Sequence, residues 1–318
     1  MGAGRAGEPS SRTPAAAPAR VLRVTAENAG ERADELVRRG IAGLSRMEVR
    51  RLFAERRVSS SGRILDKGER LAAGCELLVQ IPEREITPDV SLELEIVHES
   101  ADFVIAEKPA GLPTAPLVRT ATRSLAAALL ARYPELARVG FRAREPGLVH
   151  RLDTQTSGLV LAARTQLAFV AARRALEAGA FQKRYLAVVA PGIAEEGKIA
   201  AFLAPDPARG GRVRAFGEPP PSYHRAALTE YRVRERGRRF WLLELYAGRA
   251  FRHQIRAHLA YAGFPIAGDK LYGGPDADAL GERHALHASY MEWAGDATLR
   301  GFAAESALPA ALRALLEA

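Results

Sequence analysis

The sequence predicts a mixed α+β protein, in which a small α/β module precedes a domain built on a largely antiparallel sheet with flanking helices. Three observations carry this. The chain has 318 residues, 47% hydrophobic and 26% charged, enough for one large domain and a small one with cores that need no staples. Short apolar strand patterns and helical patterns are interspersed without strict alternation, the pattern of a mixed domain. An acidic, Pro-containing stretch at 83–93 reads as a linker, and the patterning changes at Leu94.

The elements follow in order. Residues 1–20 are rich in Ala, Pro and Gly and read as a disordered tail. They lack the apolar stretch of a secretory signal. The module, 21–82, opens with a strand at Val21–Val24 and runs into a helix. Ser45 followed by Glu48 resembles a capping box for a second helix, with Met47, Val49, Leu52 and Phe53 as its apolar positions. Short strands are expected at Arg56–Val58, Ile64 and Leu77–Ile81, with a turn at Ser61-Gly62.

The domain at 94–318 begins with two strands, Ile96–His98 and Phe103–Glu107, then a Pro- and Gly-rich turn and a helix over Arg123–Tyr133. Gly147–His150 and Gly158–Ala163 read as buried strands on either side of a polar loop. Thr165–Ala178 is spaced as a helix at Leu167, Val170, Ala171 and Leu176, with Gly179 as its stop. Tyr185–Ala190 is apolar enough for a central strand. The Pro-, Gly- and Arg-rich connection at 204–226 is long enough to suggest a functional loop. A strand at Phe240–Tyr246, a helix from about 252 to 263 and a strand at Leu286–Trp293 complete the order.

Composition narrows the function classes. The net charge of +9 and an isoelectric point near 10.0 point to a polyanionic partner, most simply nucleic acid, although an Arg-rich genome bias would produce the same excess. The single cysteine, Cys75, excludes an intramolecular disulfide framework and a cysteine-clustered metal site. No apolar run approaches the ~20 residues of a membrane span, so a cytoplasmic protein without a membrane partner is expected. His253 and His258 are spaced five apart, which misses the one-turn pairing of helical zinc sites. No metal and no cofactor is expected.

In the module, Arg46, Arg50, Arg51, Arg56, Arg57, Arg63, Lys67 and Arg70 form a basic helix face and hairpin suited to gripping phosphates. The plainer reading is a solvated face partly balanced by Glu48, Glu55 and Glu69. Residues of about 30–82 resemble the ribosomal S-four-like RNA-binding module, with Ser61-Gly62 where that family usually has Asn-Gly.

Residues 147–165, GLVHRLDTQTSGLVLAART, place a polar loop between two apolar strand candidates, a position from which side chains are held rigidly toward a cleft. Taken alone, Asp153 in such a loop is ordinarily a turn or cap residue. However, His150–Gly158, HRLDTQTSG, resembles the central motif of the RluA-type pseudouridine synthase family. EKPAGLP at 107–113, QKRYLAVV at 182–189, RHQIRAHLAYAGFPIAGDKLYGG at 252–274 and the closing strands resemble its other motifs, so that the likeness spans about 94–313. One departure is that Phe251 stands where the family commonly has Arg, with Arg252 directly before His253 and Gly248-Arg249 slightly earlier.

The resemblance implies an RNA-modifying isomerase that flips specific uridines out of a structured RNA and converts them to pseudouridine. Its substrate would be large-subunit ribosomal RNA or transfer RNA, and the enzyme would be a monomer. Asp153 would be the catalytic carboxylate, attacking base or sugar or removing a sugar proton, with Arg256 as its ion-pair partner. Tyr185 would lie against the extruded uracil and later help remove the proton from the ring carbon. Arg151 would occupy the gap left by the flipped base. His150, Lys108 and Arg252 are placed with substrate and RNA binding, as are Arg46, Arg50 and Arg51 of the module. On these residues alone, a non-catalytic RNA-binding protein and a nucleoside hydrolase that releases uracil both remain open.

Overall fold

The computed structural model describes residues 19–41, 44, 46–80, 86–116, 123–221 and 223–317. The chain divides at residues 84/85 into two compact units. In the first, β1 (Ala19–Arg23), α1 (Ala33–Gly40), α2 (Arg46–Ala54), β2 (Val58–Ser60), β3 (Arg63–Ile64) and β4 (Glu76–Gln80) follow one another. The strands form a four-stranded antiparallel sheet ordered β1-β4-β2-β3. Leu36 and Val37 of α1 pack with Val49, Leu52 and Phe53 of α2 and with Val58, Leu77 and Val79 of the sheet.

Several local expectations shift here. Met47 is 80% exposed rather than an apolar anchor, because it lies off the stripe that carries Val49, Leu52 and Phe53. The strand placed at Arg56–Val58 begins at Val58 instead, since Arg56 takes φ 57 and turns the chain. Ser61 and Gly62 have φ 49 and 79, the paired positive values of the tight turn that matches strand twist. Strand β1 starts inside the segment read as tail, whose first 18 residues lie outside the described ones, as does the capping residue Ser45.

The second unit runs β5 (Ile96–Glu99), β6 (Phe103–Lys108), α3 (Leu125–Arg132), β7 (Ser157–Ala163), α4 (Gln166–Glu177), β8 (Gln182–Val189), β9 (Glu196–Pro205), β10 (Val213–Phe216), β11 (Arg225–Arg236), β12 (Trp241–Tyr246), α5 (Gln254–Tyr261), β13 (Leu286–Gly295), β14 (Arg300–Glu305) and α6 (Ala310–Glu317). Its ten-stranded sheet is ordered β10-β9-β11-β12-β8-β13-β7-β6-β5, with β14 also paired to β13. Every pairing is antiparallel except β7 with β13, which pair through Ser157–His287 and Gly158–Ala288.

That parallel junction is tight. Gly158 has φ +116, and a Cβ there would lie 2.3 Å from the Ala288 carbonyl oxygen and 2.5 Å from its nitrogen. Only glycine fits where these strands cross so closely. Ala288 also pairs with Tyr185 on its other side. One residue of β13 therefore sits between the end of the polar loop and Tyr185.

Ser124 and Thr165 cap α3 and α4 by accepting from the amides of Ala127 and Ala168. Helix α4 buries Ala168, Phe169 and Ala172, whereas Leu167 is 63% exposed, so the inward stripe lies one residue over from the expected one. Gly147–His150 is not a strand. It runs beside β7 through a bridge from Leu148 to Ala162 and a bond from the Val149 amide to the Leu161 carbonyl. The connection at 204–226 contains β10 and is not a plain loop. Of the expected linker, 83–85 lie outside the described residues, while Ile86 is buried in the α3 cluster and the Asp89 amide donates to the Ala127 carbonyl.

Candidate active site

The loop between His150 and Ser157 is held from two sides. Lys108, at the end of β6, is fully buried, and its ammonium donates to the carbonyls of Pro109 (2.9 Å), Leu112 (2.8 Å) and Thr154 (3.1 Å). Those three acceptors use all three N–H groups of the charged form. Burial pushes the lysine down to about 7, with Asp153 and Glu107 pulling the other way. The Thr114 hydroxyl donates to the Leu152 carbonyl at 2.7 Å and accepts from the Leu152 amide, and the Gly111 amide donates to Thr154. On the far side, Thr156 bonds His284 at 2.8 Å and Ser157 bonds His287 at 3.0 Å. The backbone of Asp153 is thus fixed before any substrate contact.

Its side chain meets α5. Arg256 Nη1 donates to Asp153 Oδ2 at 2.8 Å, and the same guanidinium grips Asp269 through Nε (2.7 Å) and Nη2 (2.9 Å). Arg256 and Asp269 are 7% and 1% exposed, so this is a dry, charge-assisted fork. Tyr272 lies across the guanidinium at 5.0 Å. His253 Nε2 stands 3.6 Å from the same Asp153 oxygen. His253 is the left-handed residue before α5, at φ 55, so the helix begins at Gln254 rather than Arg252.

Electrostatics follow from this packing. Burial alone would raise the Asp153 carboxyl, but His253, Arg256 and His284 together hold it below its ordinary value. Burial holds His253 and His284 down to about 4, so both are neutral at pH 7. The standing charge that keeps Asp153 ionised is therefore Arg256, whose own pKa is raised by Asp269 and Asp153 against burial. Tyr185 is 6% exposed, and burial with the charge of Asp153 pushes its phenol up, leaving a neutral hydroxyl.

The remaining candidates are scattered. His150 accepts from the Leu161 amide at 3.1 Å, and burial with the charge of Lys183 takes it down to about 3. Arg151 is exposed and paired to Glu145 at 2.6 Å. Arg252 is exposed and donates to the Gly211 carbonyl at 2.6 Å. In the first unit, Arg46 and Arg50 are exposed, while Arg51 pairs with Glu55 at 2.6 Å.

Reading the sequence did not single out Asp269, Tyr272, Thr156 or His284. The only local signal for Asp269 is its place in the turn Gly268–Gly274, where Gly268 has φ +75 and a Cβ on Gly274 would collide with the Ile266 carbonyl. Among the described residues, no group of three or more His, Cys, Asp or Glu is arranged to hold a metal ion.

A family model described as RNA pseudouridylate synthase matches residues 102–261. Over 307 residues the chain is 30% identical to ribosomal large subunit pseudouridine synthase D of Pseudomonas aeruginosa, covering 91% of this chain and 92% of that protein. It is 33% identical over 279 residues to an uncharacterised RNA pseudouridine synthase of Chloroflexus aurantiacus, covering 86% and 84%. Among solved structures, human RNA Pseudouridylate Synthase Domain Containing 1 superposes with a TM-score of 0.55 at 24% identity, covering 69% of this chain and 87% of that one.

Proposed function

The chain belongs to the RNA pseudouridylate synthase family, and from that premise we propose that it isomerises uridines of large-subunit ribosomal RNA, with Asp153 as the catalytic carboxylate. The observation that carries the assignment is the 2.8 Å bond to Asp153 from Arg256, itself buried and clamped by Asp269. The choice of ribosomal over transfer RNA is supported by the relative from Pseudomonas aeruginosa, whose name specifies the ribosomal large subunit.

The reaction breaks the bond between ribose and uracil nitrogen, turns the base and rejoins it through a ring carbon, with no net redox change. It needs an ionised carboxylate beside the glycosidic bond, and the fixed Arg256 supplies that ionisation without waiting for solvent to reorganise. The target uridine leaves its stack to reach the loop, and the Tyr185 ring gives the extruded uracil a flat surface. As a neutral phenol, Tyr185 contributes a face and a hydroxyl rather than a phenolate base. Lys108 acts through the backbone of Thr154 and positions the loop. Arg151, exposed beside the carboxylate, exchanges Glu145 for the gap in the RNA stack. The basic face of the first unit adds affinity for phosphates. The same reading takes the enzyme as a cytoplasmic monomer; among the described residues, no helix is long and apolar enough to cross a membrane.

The test uses unmodified ribosomal and transfer RNA tritiated at uracil carbon 5. Tritium released from large-subunit RNA, with pseudouridine in its digest, is the expected result. Release from transfer RNA alone would overturn the substrate assignment, and free uracil in place of pseudouridine would overturn the reaction.

A further inference from the structure

A cleft of about 300 Å³ opens beside the start of α5, lined among others by Leu228, Glu230, Tyr246, Arg249 and Phe251. Its size is at the lower end of the ~300–1,000 Å³ range of ligand sites. Phe251 is half-buried and packs beneath against the cluster of Ala257 and Tyr272. Two guanidinium groups flank its ring, Arg225 at 5.0 Å and Arg249 at 5.6 Å from the centroid. The Tyr223 ring also lies 5.5 Å from the Arg225 guanidinium and is 67% exposed, while Leu228 is 48% exposed. Among the described residues, neither arginine has a carboxylate partner, and the one acid on the wall, Glu230, is paired to Lys198.

The cleft is fastened to the carboxylate site. Gln254, the first residue of α5, donates to the Leu228 carbonyl (2.9 Å) and the Thr229 hydroxyl (3.1 Å) and accepts from the Phe251 amide (3.0 Å). Its neighbour His253 and, less than a turn further on, Arg256 reach Asp153. One helix start therefore fixes both the wall of the cleft and the partners of the carboxylate.

We infer that this cleft is a nucleobase subsite: an unpaired base of the substrate RNA, flanking the target uridine, lies against Phe251 with Arg225 and Arg249 on the adjoining phosphates. An aromatic face between unpaired guanidinium groups is the composition that holds splayed bases. The inference rests on the proposed function for the identity of the polymer. Phe251 is also the place where the chain departs from the usual motif, so the subsite would distinguish this enzyme's RNA context from that of relatives with Arg there.

The experiment measures kcat and KM for tritium release from a stem-loop substrate, using the full chain and the variants Phe251→Leu and Phe251→Trp. The leucine keeps the packing below the ring and removes the stacking face. It is expected to raise KM about tenfold, the loss of one base stack, with kcat changed by less than about threefold. The tryptophan is expected to restore KM. A companion set of substrates carries a single abasic site at each nucleotide near the target. At one position the abasic sugar should raise KM for the wild type and add nothing further to Phe251→Leu. An unchanged KM for Phe251→Leu, or abasic penalties that add in full at every position, would overturn the subsite. If the wild type releases no tritium from any RNA, the proposed function fails instead. Equilibrium binding of the same stem-loops to the same variants then decides the subsite.

Discussion

The arginines of the two units are used in opposite ways. In the first unit, Arg46 and Arg50 stand exposed on α2, and Arg51 makes a half-buried pair with Glu55. In the second, Arg256 is buried, forked onto Asp269 and bonded to Asp153. An exposed guanidinium keeps its hydration and acts on a polyanion mainly through counterion release. A buried one has lost that hydration, so each of its hydrogen bonds is demanded by the packing, and removing a partner leaves an uncompensated charge. The difference teaches that a count of arginines marks a surface open to a polyanion, whereas burial and pairing mark the arginine on which the proposed carboxylate depends.

The comparison breaks most sharply at Asp153. Asp153→Asn is expected to lower the rate of tritium release by about 10⁴-fold while thermal melting stays close to wild type, because Asp269 still holds Arg256. Activity within tenfold of wild type would remove the carboxylate from the chemistry.

Asp269→Ala tests the other end of the fork. It leaves Arg256 buried with Asp153 alone, costing about 3 kcal/mol, or a melting point lower by about 10 °C for a unit of this size. A melting point unchanged within 2 °C would mean that the fork is not a structural requirement.

Lys108→Met sharpens the contrast by removing a fully buried ammonium whose bonds go to backbone carbonyls. Loss of its three carbonyl bonds should let the loop drift and reduce kcat by about 10²-fold, with KM altered far less. A change in KM alone would assign Lys108 to binding.

The exposed face should respond more mildly. Arg46→Ala, Arg50→Ala and Arg51→Ala together are expected to raise KM several-fold at physiological salt and to reduce the slope of log affinity against log salt by about 2–3. An unaltered slope would make this a solvated face.

The smallest effect concerns acid pH. Asp153 is held below its ordinary value and His253 at about 4, so kcat should be flat from about pH 6, where Lys108 is charged, down to about 5. The stability that Asp153 contributes is present above its unfolded value of ~3.9 and is lost as pH falls through the depressed folded value. An acid limb near pH 6.5 would show a titrating histidine in control of the reaction.

What could be read from the sequence was whatever is written within one element or one contiguous motif. Helix α4 was legible from its spacing and from the stop at Gly179, whereas the caps Ser124 and Thr165 emerged only in the structure. The loop at Asp153 and the downstream Arg256 lay in contiguous motifs. The misplaced apolar positions at Met47 and Leu167 follow because periodicity marks a stripe without fixing which neighbour faces inward. Strand β10 stayed hidden in 204–226 because its partner is β9 and its own composition is that of a loop.

By itself, then, the sequence determined the mixed α+β class, the basic balance and the contiguous motif in which the proposed carboxylate, Asp153, stands. Tertiary structure alone decided the single parallel pairing of β7 with β13, the clamp of Asp269 on Arg256, the bond between Thr156 and His284, 128 residues apart, and the cleft at Phe251. Each of these joins groups from distant segments, and such a contact imposes no local periodicity or composition. A buried charge accepts whichever partner the packed chain brings within hydrogen-bonding reach, so the pairing is legible only where both groups have come to rest.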